Sequence, residues 1–269
     1  MIDARIAALL DRLAGAIVEY PAHAVSRVPA FALGTAFFPV GAGLVDPAGP
    51  LPDDAIMIVA HVFDAPSVAY VFGEGGGSER IAGNRTWRGL LALLERADVD
   101  PRRCFLTNAY MGAKVGAPCG PVRGGRAYRA ACEAFLGEQV RVVRPRVVAT
   151  LGRPAALALR AASADLTRRW AGVARLADLD CEPARMFQRD VAFADVVVPR
   201  VVALGHTCSW TSRRLYAGEL GAKADAALLH DAAADVTSSA TRHSVVIPSS
   251  LRSFGTFPRS VKKPRVPCG

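Results

Sequence analysis

The chain has 269 residues, 51% of them hydrophobic, and a formal net charge of +9. This length allows one full hydrophobic core, and this composition excludes a largely disordered chain. No apolar stretch reaches the roughly 18 residues needed to cross a bilayer, and the N-terminus does not read as a signal peptide. We therefore expect no membrane partner and a cytoplasmic location.

The first third of the chain predicts two helices and one buried strand. Apolar residues at helical spacing indicate an amphipathic helix over residues 3–19. A segment rich in Pro and Gly then leads to a first strand over residues 55–60. Residues 62–84 form a long loop, and Thr86 is the expected N-cap of a helix over residues 87–97.

Strands and helices continue to alternate after this helix. Residues 161–195 carry no clear pattern. We predict a second strand over residues 104–108, a long helix over 126–143, a third strand over 147–151, a short helix from Gly152, a fourth strand over 196–204 and a final helix around 211–217. The alternation predicts an α/β domain over residues 1–235, built as a three-layer α/β/α sandwich around a mostly parallel four-stranded sheet.

The C-terminal tail, residues 236–269, differs in composition from this domain. It contains six bases and no acids, and it has no apolar periodicity, so we expect it to be disordered. A basic chain favours an anionic partner. Because much of the net charge lies in the tail, the domain itself is only mildly basic.

The six cysteines give no indication of a metal site. None of them forms the short C-x-x-C spacing that zinc and iron–sulfur sites show. We therefore expect reduced thiols, no metal and no cofactor.

The four predicted strands end abruptly on polar or glycine residues. These endings are His61, Asn108, Gly152 and the Gly205-His206 pair. Short apolar runs of this kind suit parallel strands that are buried on both faces. In such sheets the ligand lies beyond the carboxyl ends of the strands. We therefore expect the two histidines and the asparagine to converge on one crevice.

Two of the polar candidates also have a structural interpretation. Asn108 either caps the following turn or offers its adjacent donor and acceptor to the edge of a nucleobase. His61 and Asp64 are candidates to orient a water molecule, although Asp64 could instead cap the turn before Pro66.

Aromatic and basic residues near these strand ends suit nucleic-acid binding. Tyr70 and Phe72 either stack on a base or belong to the core. The segment that starts at His206 joins a hydrogen-bonding ring to hydroxyls and an indole, with Arg213 and Arg214 one turn further on. That combination suits a loop that contacts phosphates and distorts a duplex.

From residue 56 to residue 216 the chain resembles the uracil-DNA glycosylase superfamily. The resemblance is strongest over residues 105–112, residues 144–152 and the Gly205-His206 turn. It implies a three-layer fold and hydrolysis of the N-glycosidic bond of uracil, or of a related damaged base, flipped out of DNA. DNA with such a base would be the partner of a monomer that needs no redox cofactor and no metal.

The resemblance also implies a role for individual residues. Asn108 would read the pairing edge of the flipped base, and His206 would hydrogen-bond the base oxygen on which charge develops. The stacking aromatic, the phosphate contact and the wedge that fills the vacated stack would be Phe72 or Tyr70, Ser209 and Trp210.

The first strand departs from the family pattern. Family enzymes have a glycine there, followed within two residues by a water-activating Asp, Glu or Asn. Here Ala60 is followed by His61 and Val62, and Asp64 lies two to three residues late. Asp64 or His61 would then position water. The alternatives are a non-catalytic nucleic-acid-binding member of the fold, or an α/β enzyme that acts on a small nucleoside-like ligand.

Overall fold

The computed structural model describes residues 4–17, 19–26, 52–64, 85–116, 122–173, 176–180, 186–207 and 214–234. All of them belong to one unit, Met1–Ala234. The predicted tail, residues 236–269, lies outside the described residues.

The described chain alternates strands with helices, as the sequence predicts. The strands are β1 (Val25–Ser26), β2 (Ile56–Ala60), β3 (Phe63–Asp64), β4 (Cys104–Asn108), β5 (Ala113–Lys114), β6 (Val147–Leu151), β7 (Phe187–Phe193), β8 (Val196–Leu204), β9 (Leu215–Tyr216) and β10 (Glu219–Leu220). The helices are α1 (Ala4–Ala16), α2 (Arg85–Arg96), α3 (Gly125–Val143), α4 (Gly152–Ala161), α5 (Ala164–Arg169), α6 (Leu176–Asp180) and α7 (Ala222–Ala233), and a short 3-10 helix (Pro101–Arg103) precedes β4.

The central sheet is mostly parallel and has five strands in the order β4-β2-β6-β8-β7. The first four run parallel, and their apolar runs are buried along nearly their whole length. This confirms the α/β class and the four predicted strands.

The predicted number of strands is wrong, because β7 pairs antiparallel with β8 at the edge of the sheet. Its sequence places Arg189 and Asp190 in the middle of the strand, where both are exposed. An edge strand with one solvated side lacks the continuous apolar run that marks a buried parallel strand. For this reason residues 161–195, which also contain α5 and α6, look irregular in the sequence.

The predicted helix around residues 211–217 is also wrong where the structure describes it. Leu215 and Tyr216 pair with Leu220 and Glu219 in the β9–β10 hairpin, and the last helix within the described residues is α7. Thr86 likewise lies within α2 and not at its cap, since the helix begins at Arg85.

A second, small sheet lies beyond the ends of β2 and β4. Its strand order is β1-β5-β3, so β5 lies in the middle. The chain enters β5 through Gly112, at a φ of +90°. A Cβ atom there would come within 2.6 Å of the Ser26 carbonyl oxygen, so this turn needs glycine. The turn sets the position of Lys114, two residues further on.

No helix in the described ranges combines the length and the apolar character required to cross a bilayer.

Candidate functional site

The topology creates a crevice at the carboxyl end of β2. This strand comes first in the central sheet, and its neighbours are β4 on one side and β6 on the other. The chain leaves β2 toward β4 but leaves β6 toward β8, so the connections diverge between β2 and β6, which opens the site where α/β sheets bind ligands. His61 follows β2 directly and lies at this point.

The His61 ring is held against the next strand end. It packs edge-to-face on Tyr110, with the ring centroids 5.6 Å apart. Its carbonyl oxygen accepts a hydrogen bond from the Tyr110 N–H at 3.0 Å. Burial is the main cause that lowers the pKa of His61 to about 4, and electrostatic repulsion by Lys114 and His206 adds to it. The imidazole is therefore neutral at pH 7.

Asn108 ends β4, one strand away from His61. Its backbone pairs with Ala60 in the parallel ladder, and the residue is 4% exposed. Within the described part of the chain, no hydrogen bond reaches its side-chain amide. A buried amide normally has hydrogen-bond partners. Since none is described for Asn108, its N–H donor and its carbonyl acceptor are available to a ligand.

His206 lies over the end of β6, although it follows β8 in the chain. A Cβ atom built on Gly152, the first residue of α4, would be 3.1 Å from the His206 Cβ and 3.5 Å from its Cδ2. Gly152 also has a φ of +80°. Gly152, which the sequence presents only as the packed end of β6, thus lies in direct contact with the His206 ring. Burial lowers the pKa of His206 as well.

This placement limits the distance between the base-binding candidates. Neighbouring strands lie about 4.8 Å apart. With His206 over β6 and Asn108 on β4, two strand spacings, roughly 10 Å, separate their backbones. Both residues therefore lie at the same edge of the sheet, where one crevice can hold them. His61 directly follows β2, the strand between them.

Buried ion pairs hold the turn before His206. The Gly205 N–H donates to the Asp225 carboxylate at 3.0 Å, and this carboxylate also accepts from Arg214 at 2.5 Å. Arg214 donates in addition to the Ala203 carbonyl and, at 2.8 Å, to Asp180. The end of β8 is thereby tied to α6 and α7.

The position of Arg214 argues against the predicted DNA contact. The residue is 1% exposed, and two carboxylates neutralise its guanidinium. It is therefore enclosed in protein and does not face a phosphate backbone. Its sequence context, next to Arg213, gave no sign of this, because both acidic partners lie far away in the chain.

A second anchor fixes the residue after His206. The Thr207 hydroxyl donates to the Thr86 carbonyl at 3.1 Å, at the start of α2. A Cβ atom on Gly89 would lie 2.6 Å from the Thr207 carbonyl oxygen, so the helix and the turn are in close contact. The turn is held between α2, α4 and α7.

Lys114 belongs to this site, although sequence analysis did not identify it. It is 8% exposed, on β5, and its charge lowers the pKa of His61. Its register partner is Asp64 on β3. A single lysine in a loop-like sequence gives little indication of such a position, which depends on the turn at Gly112.

Several predicted site residues lie outside the described part of the chain. The described residues exclude Tyr70, Phe72, Ser209, Trp210 and Arg213, and they include the backbone of Asp64 but not its side chain. The predictions for these residues stay predictions.

The described residues contain no cluster of three or more His, Cys, Asp or Glu side chains that would hold a metal ion. Cys104 and Cys132 are buried free thiols. Burial raises their pKa values to about 12 and about 11, which makes them poor nucleophiles.

A separate cavity of about 370 Å³ lies between the end of α1 and the start of α3. Its walls include Glu19, Tyr20 and Tyr128. His61, Asn108 and His206 do not line it.

No protein-family model matches the chain, and no curated protein matches it.

Proposed function

We propose that the protein is a uracil-DNA glycosylase-like hydrolase that cleaves the N-glycosidic bond of uracil, or of a related damaged base, flipped out of DNA. The observation that carries this proposal is the arrangement of Asn108, His61 and His206 over neighbouring strand ends. An amide without a described partner on one side and a neutral imidazole on the other match the edges of a pyrimidine.

In this proposal the two sides of the crevice have different tasks. Asn108 accepts from and donates to the pairing edge of the base. His206 is a neutral ring, so it donates an N–H to the carbonyl oxygen of the base on which negative charge develops as the bond breaks. Because a neutral imidazole is a much weaker acid than an imidazolium, His206 stabilises the oxygen of the base through a hydrogen bond and keeps its proton.

The water molecule would be positioned on the side of His61. With a pKa of about 4, His61 is a weak base and acts mainly by orienting the water. Asp64 is the alternative, because its backbone lies next to Lys114 at the same end of the sheet. The stacking, phosphate and wedge contacts remain assigned to Phe72 or Tyr70, Ser209, Trp210 and Arg213, as the resemblance implies.

The proposal includes a three-layer arrangement and a cytoplasmic monomer. Helix α7 packs on β8 and α2, while α3 packs with α1 and α4. Helices grouped in these two sets suit the two faces of one sheet. DNA that contains uracil or another damaged base would be the partner.

A non-catalytic DNA-binding protein of the same fold is the second candidate. The observation that favours it is the weak basicity of His61 at the position where the family has its water-activating group. Such a protein would keep the base pocket and release no base.

Base release from oligonucleotides with a single uracil tests the proposal. We expect alkali-labile abasic sites with uracil and none with thymine. Asn108→Ala and His206→Ala should each reduce the rate by about 100-fold, as loss of one such hydrogen-bonding group does elsewhere. His23→Gln is the control, since His23 is exposed ahead of β1.

The outcomes separate the two candidates. Binding of uracil-containing DNA that Asn108→Ala weakens, with no base release, would favour the binding protein. Neither release nor binding would overturn both.

A further inference from the structure

The cavity between the end of α1 and the start of α3 is lined by aromatic and small apolar residues. Its volume of about 370 Å³ lies in the range of sites that hold small molecules. The rings of Tyr20 and Tyr128 form part of the wall, with their centroids 6.1 Å apart and their planes at 53°. Ala16, Pro21 and Ala131 contribute apolar surface. The cavity therefore suits a compact ligand with a largely apolar surface.

Close contacts with the backbone position both tyrosine rings at this wall. A Cβ atom on Gly124 would overlap the Tyr128 ring, and one on Gly112 would lie 3.0 Å from the Tyr20 Cε1. The Tyr128 hydroxyl donates a hydrogen bond to the Met111 carbonyl. Donation of this kind polarises the phenol and adds electron density to its ring, which strengthens the attraction of the ring face for a cation.

The charge on the described wall is negative. Glu19 is the one charged residue among the described residues that line the cavity. The carbonyl end of α1 and the N–H end of α3 meet here, so their opposite helix dipoles largely cancel. Arg129 on α3 does not line the cavity, and its Nε donates to the Gly125 carbonyl at 3.2 Å. The acid and the two ring faces thus favour a cationic ligand.

We propose that this cavity binds a small quaternary ammonium ligand. Such a group has no N–H donor, so it needs no hydrogen-bond acceptors from a mostly apolar wall. Its methyl groups would contact the faces of Tyr20 and Tyr128, and the exposed Glu19 carboxylate would balance its charge. A primary ammonium group would lose the hydration of three N–H donors in the same place and bind more weakly. This site does not depend on the proposed hydrolysis.

Choline and its neutral isostere 3,3-dimethyl-1-butanol test the role of charge, because carbon replaces the quaternary nitrogen at nearly the same shape. Each is titrated into the full chain and followed by NMR. We expect choline to bind and its methyl protons to shift upfield, as protons over aromatic faces do. The neutral isostere should bind about tenfold more weakly, the effect of a partly desolvated cation–π contact. Ethanolamine, which lacks the methyl groups of choline, should also bind more weakly.

Two pairs of variants test the wall itself. Tyr20→Leu keeps an apolar side chain but removes one ring face, so it should weaken choline binding about tenfold and leave the neutral isostere nearly unaffected. Tyr216→Leu, at a half-buried tyrosine of β9, is its control. Glu19→Gln should weaken choline binding about threefold, since the carboxylate is exposed. Glu95→Gln, at an exposed glutamate of α2, is the matching control.

Each result either supports or overturns the proposal. Equal binding of choline and 3,3-dimethyl-1-butanol would make the cavity a site for apolar groups and overturn it. No binding of choline would also overturn it, as would choline binding that Tyr20→Leu and Glu19→Gln leave unchanged. If Tyr20→Leu does not fold, Glu19→Gln decides the question, because this substitution changes only an exposed side chain.

Discussion

The two sides of the crevice are held in different ways. On the His206 side, buried ion pairs and a threonine hydrogen bond fix the backbone of the turn. On the His61 side, an aromatic contact and a small sheet support the ring, and the buried charge there belongs to Lys114. On the His206 side, charged groups hold the backbone of the turn in position. On the second side the His61 ring rests on an aromatic contact, so substitutions on the two sides should have different consequences.

The largest effect should come from removing the carboxylate that holds the His206 turn. Asp225→Ala leaves the Arg214 guanidinium with one carboxylate instead of two and the Gly205 N–H without its acceptor. Loss of one member of a buried pair costs about 3–5 kcal/mol. We expect a loss of that size in the free energy of unfolding, measured by urea denaturation.

An exposed ion pair provides the control for Asp225. Asp195 pairs with Arg141 at 2.5 Å, but the carboxylate side chain is 59% exposed. Asp195→Ala should therefore cost less than about 1 kcal/mol. Similar losses in the two variants would contradict the idea that burial makes the Asp225 network essential.

The His61 side should make stability depend on pH. The unfolded chain binds a proton at His61 near pH 6.5, whereas the folded protein does so only near pH 4. The free energy of unfolding should therefore fall by about 3 kcal/mol between these values, and this stability should be fully present above pH 6.5.

Replacement of the His61 ring tests whether this histidine causes the pH dependence of stability. Urea denaturation of His61→Asn at neutral pH and near pH 4 should show a smaller fall than the wild type. An equal fall in both proteins would show that other groups cause the dependence.

Two glycines with almost the same backbone conformation test the contact between the end of β6 and His206. Gly152 and Gly172 have φ values of +80° and +78°, but a Cβ atom would meet His206 only at Gly152. Both Ala variants pay about 1–2 kcal/mol for the left-handed conformation. Gly152→Ala should in addition shift the His206 ring resonances and weaken base binding, while Gly172→Ala should do neither. Unchanged His206 resonances in Gly152→Ala would show that the ring does not depend on this contact.

The same contrast explains how much could be predicted from the sequence. The four parallel strands were predicted because each is buried on both faces and therefore appears as an unbroken apolar run. Their ends then indicated His61, Asn108 and His206. The edge strand β7 was missed because one of its sides is solvated.

The supporting residues depend on contacts that no local pattern records. Asp225 meets Gly205 across 20 positions of the chain, and Lys114 enters the crevice through the turn at Gly112. Arg214 looks like an exposed DNA contact until its two carboxylates are known. The residues at the strand ends can thus be predicted from local sequence patterns. The charged residues that surround and hold them become apparent only in the three-dimensional structure.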